Sequence, residues 1–138
     1  MTTKVKAPKG FEFKIRKPYP GEKTVYIELH KKGGTSQVGR VNLAYAGKDM
    51  YGKDVFETHS YLDPAYRQKG FGTLLYARAI QWGVEHGCKV RSSTQTSTEA
   101  QRVWNGKSLR KFFSVKKRTW KNQYGGNVQK WYAYNKDK

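Results

Sequence analysis

Residues 55–85 read VFETHSYLDPAYRQKGFGTLLYARAIQWGVE. They carry, in order, a strand, a proline-stopped loop, a glycine-rich turn and a helix. Val55 to Leu62 is rich in β-branched and aromatic residues, which suits a pleated, half-buried surface. Asp63-Pro64 ends it, because proline offers no N–H to a ladder. From Phe71 the apolar spacing turns helical: Phe71, Leu75, Ala79 and Trp82 share one face, and Arg78, Gln81 and Glu85 another. Gly87 supplies a left-handed stop.

Between strand and helix lies Arg67-Gln68-Lys69-Gly70-Phe71-Gly72. The first turn of a helix has N–H groups without internal partners and carries the positive end of the macrodipole. Gly70 and Gly72 let a ligand approach the backbone closely, and Arg67 and Lys69 add positive charge. Together they predict a pocket for a phosphate or diphosphate. The turn has neither the Gly-Lys-Ser/Thr of a Walker loop nor the spacing of the dinucleotide fingerprint.

The run YLDPAYRQKGFGTLL resembles the acyl-coenzyme A-binding motif of the GNAT superfamily of N-acetyltransferases, with Arg67, Gly70 and Gly72 at its three defining positions. Ser97, Ala100 and Trp104 are similar to a second stretch of that family. The resemblance implies an α/β fold: a mixed, mostly antiparallel sheet, a central helix after the fourth strand and a C-terminal β-hairpin. It also implies direct transfer of an acyl group from acetyl-coenzyme A, or another acyl-coenzyme A, to an amine, with no covalent enzyme intermediate and no metal. By that resemblance the diphosphate rests on amides from Gln68, Lys69, Gly70, Phe71, Gly72 and Thr73, beside Arg67. A strand-end amide near Leu62 holds the thioester carbonyl as oxyanion-type donors do. The pantetheine arm runs between the central strand and the next one, and Ser97 and Trp104 lie beside it.

Proton transfer is less determined. Where the family often has an acidic tyrosine this chain has Trp104, whose indole N–H does not release its proton. Tyr61, Tyr66 or a water is left for that role, or the acid is dispensable, since a thiol of pKa near 8.5 leaves readily. Trp104 itself reads as core or as a stacking wall. Glu57, His59 and Tyr61 share one face of the strand, with Phe56, Thr58, Ser60 and Leu62 on the other. A carboxylate and an imidazole two residues apart can form a base with its partner. The plainer alternative is a solvated sheet face. His30 and His86 read as structural or surface residues.

The 138 residues suit one domain with its own core. Ten Tyr and four Trp argue against disorder. No apolar run could span a bilayer and no secretory signal opens the chain. Cys88 stands alone, which excludes an internal disulfide or a cysteine zinc site and fits a reducing cytoplasm. A small buried hydrophobe is the better reading of it. Residues 1–10 are basic and expected to be loose. Phe11 to Arg16 alternates as a strand, Pro18-Tyr19-Pro20-Gly21 makes a turn, and Val25, Ile27 and Leu29 mark a second strand. A third is expected from Gln37 to about Tyr45, with Ala46 to Lys53 as connector. The turn leaves no room for the helices that GNAT proteins place between their first two strands. The acceptor side is therefore expected to be open, as a large or flat substrate requires. Further strands are expected at Lys89 to about Gln95, Val115–Lys121 and Val128–Tyr134. A helix carrying Ala100, Val103 and Trp104 precedes the last two, weakened by Gly106.

Charge is the other strong signal. Twenty-eight Lys and Arg stand against ten Asp and Glu, a formal +18. Between Glu99 and Asp137 no acidic residue occurs. Arg102, Lys107, Arg110, Lys111, Lys116, Lys117, Arg118 and Lys121 fall there, interleaved with aromatics. So one-signed a field implies a polyanionic partner, tRNA, other RNA or DNA, bound through phosphate neutralisation and stacking. Two functions follow: N-acetylation of an amine on aminoacyl-tRNA, a modified base or a nucleic-acid-bound protein, or a catalytically inactive nucleic-acid-binding or inhibitory module of the same fold. Small cationic acceptors fit the field poorly. A homodimer is left open.

Overall fold

The structure is a computed structural model and describes residues 5–16, 23–67, 70–93, 98–110, 113–121, 124 and 127–135. The turn expected at 18–21, the end of the strand expected to reach Gln95, and Gln68, Lys69, Ser97 and Lys111 lie outside the described residues.

Strands β1 (Phe11–Arg16), β2 (Thr24–Lys31), β3 (Gln37–Lys48) and β4 (Asp54–Leu62) form an antiparallel meander. Helix α1 (Phe71–Glu85) crosses over to β5 (Lys89–Arg91), which lies parallel to β4. Helix α2 (Thr98–Asn105) and the short α3 (Lys107–Arg110) lead to the hairpin β6 (Phe113–Lys121) and β7 (Asn127–Asn135). The seven described strands run β1-β2-β3-β4-β5-β7-β6 across one sheet.

Period-two alternation decides which face is covered. Val25, Ile27, Leu29, Val41 and Leu43 are buried in one cluster with Leu75, Tyr76 and Ile80 of α1 and Trp104 and Leu109 of α2 and α3. Among the described residues, the helices pack on this face of the sheet. The register places Arg16, Tyr26, Arg40, Glu57, His59, Tyr61, Arg91 and Tyr132 on the other.

Three expectations need correction. Gln81 was assigned to the polar side of α1 but is only 4% exposed. Its Oε1 accepts the Val5 N–H at 3.3 Å, because the chain entering β1 crosses the helix there. Val5 is itself buried, so the looseness expected over residues 1–10 does not hold from Val5 onward. β3 also runs past Tyr45 to Lys48, so the connector to β4 is a tight loop. In it Asp49 Oδ1 accepts the N–H groups of Tyr51 and Lys53, each at 2.9 Å. The Asp49 carboxyl is held down at about 2, mainly by the Lys89 ammonium 2.9 Å away.

Gly83 sets the approach of α1 to the sheet. A Cβ there would lie 2.4 Å from Val90 Cγ2, and Val90 is fully buried and stiff at χ1. Glycine to alanine in a helix interior normally gains up to about 1 kcal/mol, whereas overpacking costs about 1–3 kcal/mol. The collision therefore wins: Gly83→Ala should lose about 1–2 kcal/mol in urea unfolding, and a gain in stability would show that the sheet yields instead.

Candidate active site

Among the described residues, β4 and β5 pair at Val55–Lys89, Phe56–Val90 and Glu57–Arg91. A last tie follows, from Thr58 Oγ1 to the Arg91 carbonyl at 3.2 Å. β4 then continues to Leu62 paired, among the described residues, with β3 alone. Among the described residues, no strand pairs with its other edge beyond Glu57, and such an edge offers backbone groups to a ligand. At this end of β4 lies a cavity of about 370 Å³, lined by Ser60, Tyr61 and Leu62, by Arg67, Gly70, Gly72, Thr73 and Tyr76, and by Arg40, Arg102 and Val103.

The glycine turn forms the mouth of this cavity. Gly70 has φ +81° and no atom within 4 Å of where a Cβ would stand. Its carbonyl accepts the Leu74 N–H at 3.3 Å, which opens the helix. The N–H groups of the first turn have no partner within the helix, and Gly72 and Thr73 line the cavity beside them. Arg67 Nε donates to the Leu62 carbonyl at 2.8 Å, tying the loop to the strand end. Arg67 and Arg102 line this mouth, whereas the Arg40 guanidinium lies 5.6 Å over the Tyr61 ring on the outer face. This donor set suits a diphosphate, and the open strand edge suits an amide-bearing arm, so the residues present fit a coenzyme A thioester.

Leu62, Arg67, Gly70, Gly72 and Thr73 line the cavity; Trp104, read as core or a stacking wall, does not, and the Phe71 ring, of which only the amide was expected at the site, turns elsewhere. The Phe71 ring meets Phe11 edge-on at 4.9 Å and stacks with Tyr66 at 5.9 Å, pinning the loop to β1. Trp104 is fully buried, edge-on to Tyr76 at 5.6 Å. Tyr76 takes the wall instead, and its hydroxyl donates to Ser60 Oγ at 2.7 Å. Burial raises the Tyr76 phenol, and its bonds to Ser60 and Thr58 oppose that shift. Sequence reasoning missed Tyr76, although it lies four residues after Gly72 and so on the same helix side. Arg40 was missed as well, since nothing in its strand pattern marks it.

Glu57, His59 and Tyr61 do share the outward face, but they make different contacts. Glu57 Oε1 accepts from Arg91 Nε at 3.2 Å and from Lys130 Nζ at 3.1 Å. Its Oε2 lies 3.3 Å from His59 Nε2. Tyr61 donates to Asp63 Oδ1 at 2.9 Å, a bond that raises its phenol. Of these three, Tyr61 lines the cavity.

A parted parallel strand pair, a left-handed glycine and a cationic helix mouth coincide with a sequence-level match. The model of the Acetyltransferase (GNAT) family covers residues 7–105. The chain belongs to that family. No curated protein matches it. A GCN5-related N-acetyltransferase from Kribbella flavida shares 19% identity at a TM-score of 0.58, over 83% of this chain and 70% of that one. The ribosomal-protein-S5-alanine acetyltransferase of Vibrio fischeri shares 15% identity at a TM-score of 0.54, over 83% and 63%. A Salmonella typhimurium protein solved with its cofactor acetyl-CoA shares 15% at 0.51, over 80% and 62%. The chain thus spans less than two thirds of the length of the last two. At these identities the likeness is one of fold.

In this GNAT chain the C-terminal cations divide. Arg102 lines the cavity. Arg110 Nη1 donates to the carbonyls of Trp104 and Gly106, at 3.2 and 3.1 Å, closing the end of α2. The pairing register puts Lys116 and Arg118 on the outer face with Tyr132, while Lys117 and Lys121 project the other way from the same strand and are exposed. The Lys107 side chain lies outside the described residues.

Arg67→Ala should speed amide exchange over residues 62–67 roughly tenfold while shifting global stability by less than about 1 kcal/mol, because the lost bond is local and exposed. Arg67→Lys should not restore protection, since an ammonium lacks the planar fork. Unchanged exchange in Arg67→Ala would mean that the loop is held by the Phe11–Tyr66–Phe71 rings alone.

Proposed function

We propose that this GNAT chain is an acetyl-coenzyme A-dependent N-acetyltransferase whose acceptor amine is carried by a nucleic acid, as in aminoacyl-tRNA, a modified base or a nucleic-acid-bound protein. The observation that carries the transferase reading is the cavity where β4 leaves β5, with Gly70, Arg67 and Arg102 at its mouth. When bound, acetyl-coenzyme A supplies an acetyl thioester reactive toward amines. The chain's own groups do the rest. Arg67, Arg102 and the amides after Gly70 bind the diphosphate. Ser60 and Tyr76 form a hydroxyl pair on the cavity wall. A phenol held protonated by burial donates rather than accepts, so Tyr76, through Ser60, supplies a proton to the departing sulfur. This assigns to Tyr76 the acid role that Trp104 cannot fill. His59, backed by Glu57, takes the acceptor's proton on the outer face.

Support for the acceptor class comes from charge. A formal +18 repels cationic acceptors and draws polyanions. Among the described residues the outer sheet face carries no helix, which leaves room for a large substrate.

Saturating acetyl-coenzyme A should raise the melting temperature of the parent chain. A hundredfold excess over Kd adds about 2.7 kcal/mol to stability. Gly70→Glu should abolish that shift, by placing a carboxylate where the diphosphate binds. Gly70→Asn, which tolerates the left-handed conformation, should keep most of it. Equal shifts in all three would place the coenzyme elsewhere.

Tyr76→Phe should lower kcat by about 10²-fold with KM for the coenzyme little changed, the pattern of a group acting only as bonds break. Unaltered kcat with reduced stability would make Tyr76 a core residue only.

A further inference from the structure

The active-site cavity lies at the C-terminal end of β4, and a second cavity lies at its N-terminal end. Seven residues separate Val55 from Leu62 along the strand, so the two are roughly 23 Å apart. The second cavity has a volume of about 780 Å³, and its walls include Lys48, Lys53, Lys89, Arg91, Lys116 and Arg118. Asp49 is the one carboxylate among the described lining residues, 2.9 Å from Lys89, and two carboxylates outside the lining lie on wall cations, Asp54 2.9 Å from Lys48 and Glu57 3.2 Å from Arg91. Among the described residues, six wall cations against these three carboxylates leave the basin positive. These residues come from the β3–β4 loop, the start of β5 and the distant hairpin strand β6, so folding alone gathers them. Low-dielectric walls then focus their field.

The rim is unusual in a different way. Tyr51 and Met50 are 84% and 87% exposed, yet the loop that holds them out is tied down by Asp49 through two backbone amides. A large aromatic ring is thus presented to solvent on a fixed turn, beside a cationic basin. Inside, Arg118 sits 5.7 Å over the Tyr132 ring.

We infer that this basin binds an unpaired stretch of nucleic acid, with phosphates on its lysines and arginines and a base stacked on Tyr51. Spread cations neutralise a chain of phosphates rather than one small anion. An aromatic face requires an unstacked base, which single strands, loops and ends supply and a duplex does not. The outer face between the two cavities carries Glu57, His59 and Tyr61, so a nucleic acid anchored in the basin lies on the approach to the active site. The inference deepens the acceptor class proposed above and rests on it for its biological sense, although binding itself needs no catalysis.

Fluorescence anisotropy of labelled oligouridylate and oligothymidylate tests it. The parent should bind with an affinity that falls steeply with salt. The charge-reversed triple variant Lys53→Glu, Lys116→Glu, Arg118→Glu should bind at least tenfold more weakly, with the log–log salt slope reduced by about 2. Tyr51→Ala should weaken binding about fivefold or more. Retained thermal stabilisation of the triple variant by acetyl-coenzyme A would show it folded, and Gly70→Glu should leave oligonucleotide binding unchanged. A triple variant that binds as tightly as the parent overturns the site, as does a parent that binds anionic phosphatidylserine vesicles but neither oligonucleotide. Oligonucleotide binding that follows the basin without any coenzyme shift keeps the site and removes the transferase; a coenzyme shift without oligonucleotide binding does the reverse.

Discussion

β4 and β5 pair across three residues and then part, and the rest of the site follows from that wedge. It is closed at one end because Gly83 lets α1 settle against Val90, which keeps the two strands under one helix. It is open at the other because β5 stops at Arg91 while β4 continues five residues further. There the Phe11–Tyr66–Phe71 rings and the Arg67–Leu62 bond fix the glycine turn. A strand edge that, among the described residues, has no neighbouring strand and a helix mouth beside it are costly to leave without partners. A ligand with an amide-bearing arm and a diphosphate head satisfies both at once.

Inside the wedge, packing decides which side chain reaches the cavity. A tryptophan stands where the family often carries an acid, and it is fully buried. Its bulk backs Tyr76, and Tyr76 in turn directs its hydroxyl onto Ser60. The hydroxyl thus reaches the cavity from α1 rather than from α2. The outer face follows different rules: Glu57 collects Arg91, Lys130 and His59 into one ionic cluster, with Lys130 only 8% exposed. Such clusters hold positions well and are sensitive to loss of any one member.

The large positive charge does three separate things. Arg67 and Arg102 line the cavity mouth, Arg110 closes a helix end, and Lys53, Lys116 and Arg118 contribute to the second basin. Sequence order alone does not sort them. Arg102 and Arg110 are eight residues apart and have unrelated tasks, whereas Lys53 and Lys116 share one wall.

What could be read directly from the chain rests on short-range rules. Alternation in β1 to β4, the 3.6-residue period from Phe71, the stop at Pro64, the left-handed Gly87 and the glycine turn at 70–72 each depend on a few neighbouring residues, so the fold and the place of the turn were legible. The limits of that reading were Gln81 and Val5, which a polar residue's helix position and a terminal location misplace, and Tyr76, one position outside the stripe drawn from Phe71 and Leu75. Which side chains meet across the sheet was decided only by tertiary structure. Lys130 reaches Glu57 over 73 residues of chain and Arg91 over 34, and no local periodicity encodes distances of that kind. Burial against partners far away in sequence, not propensity, chose the groups that line both cavities.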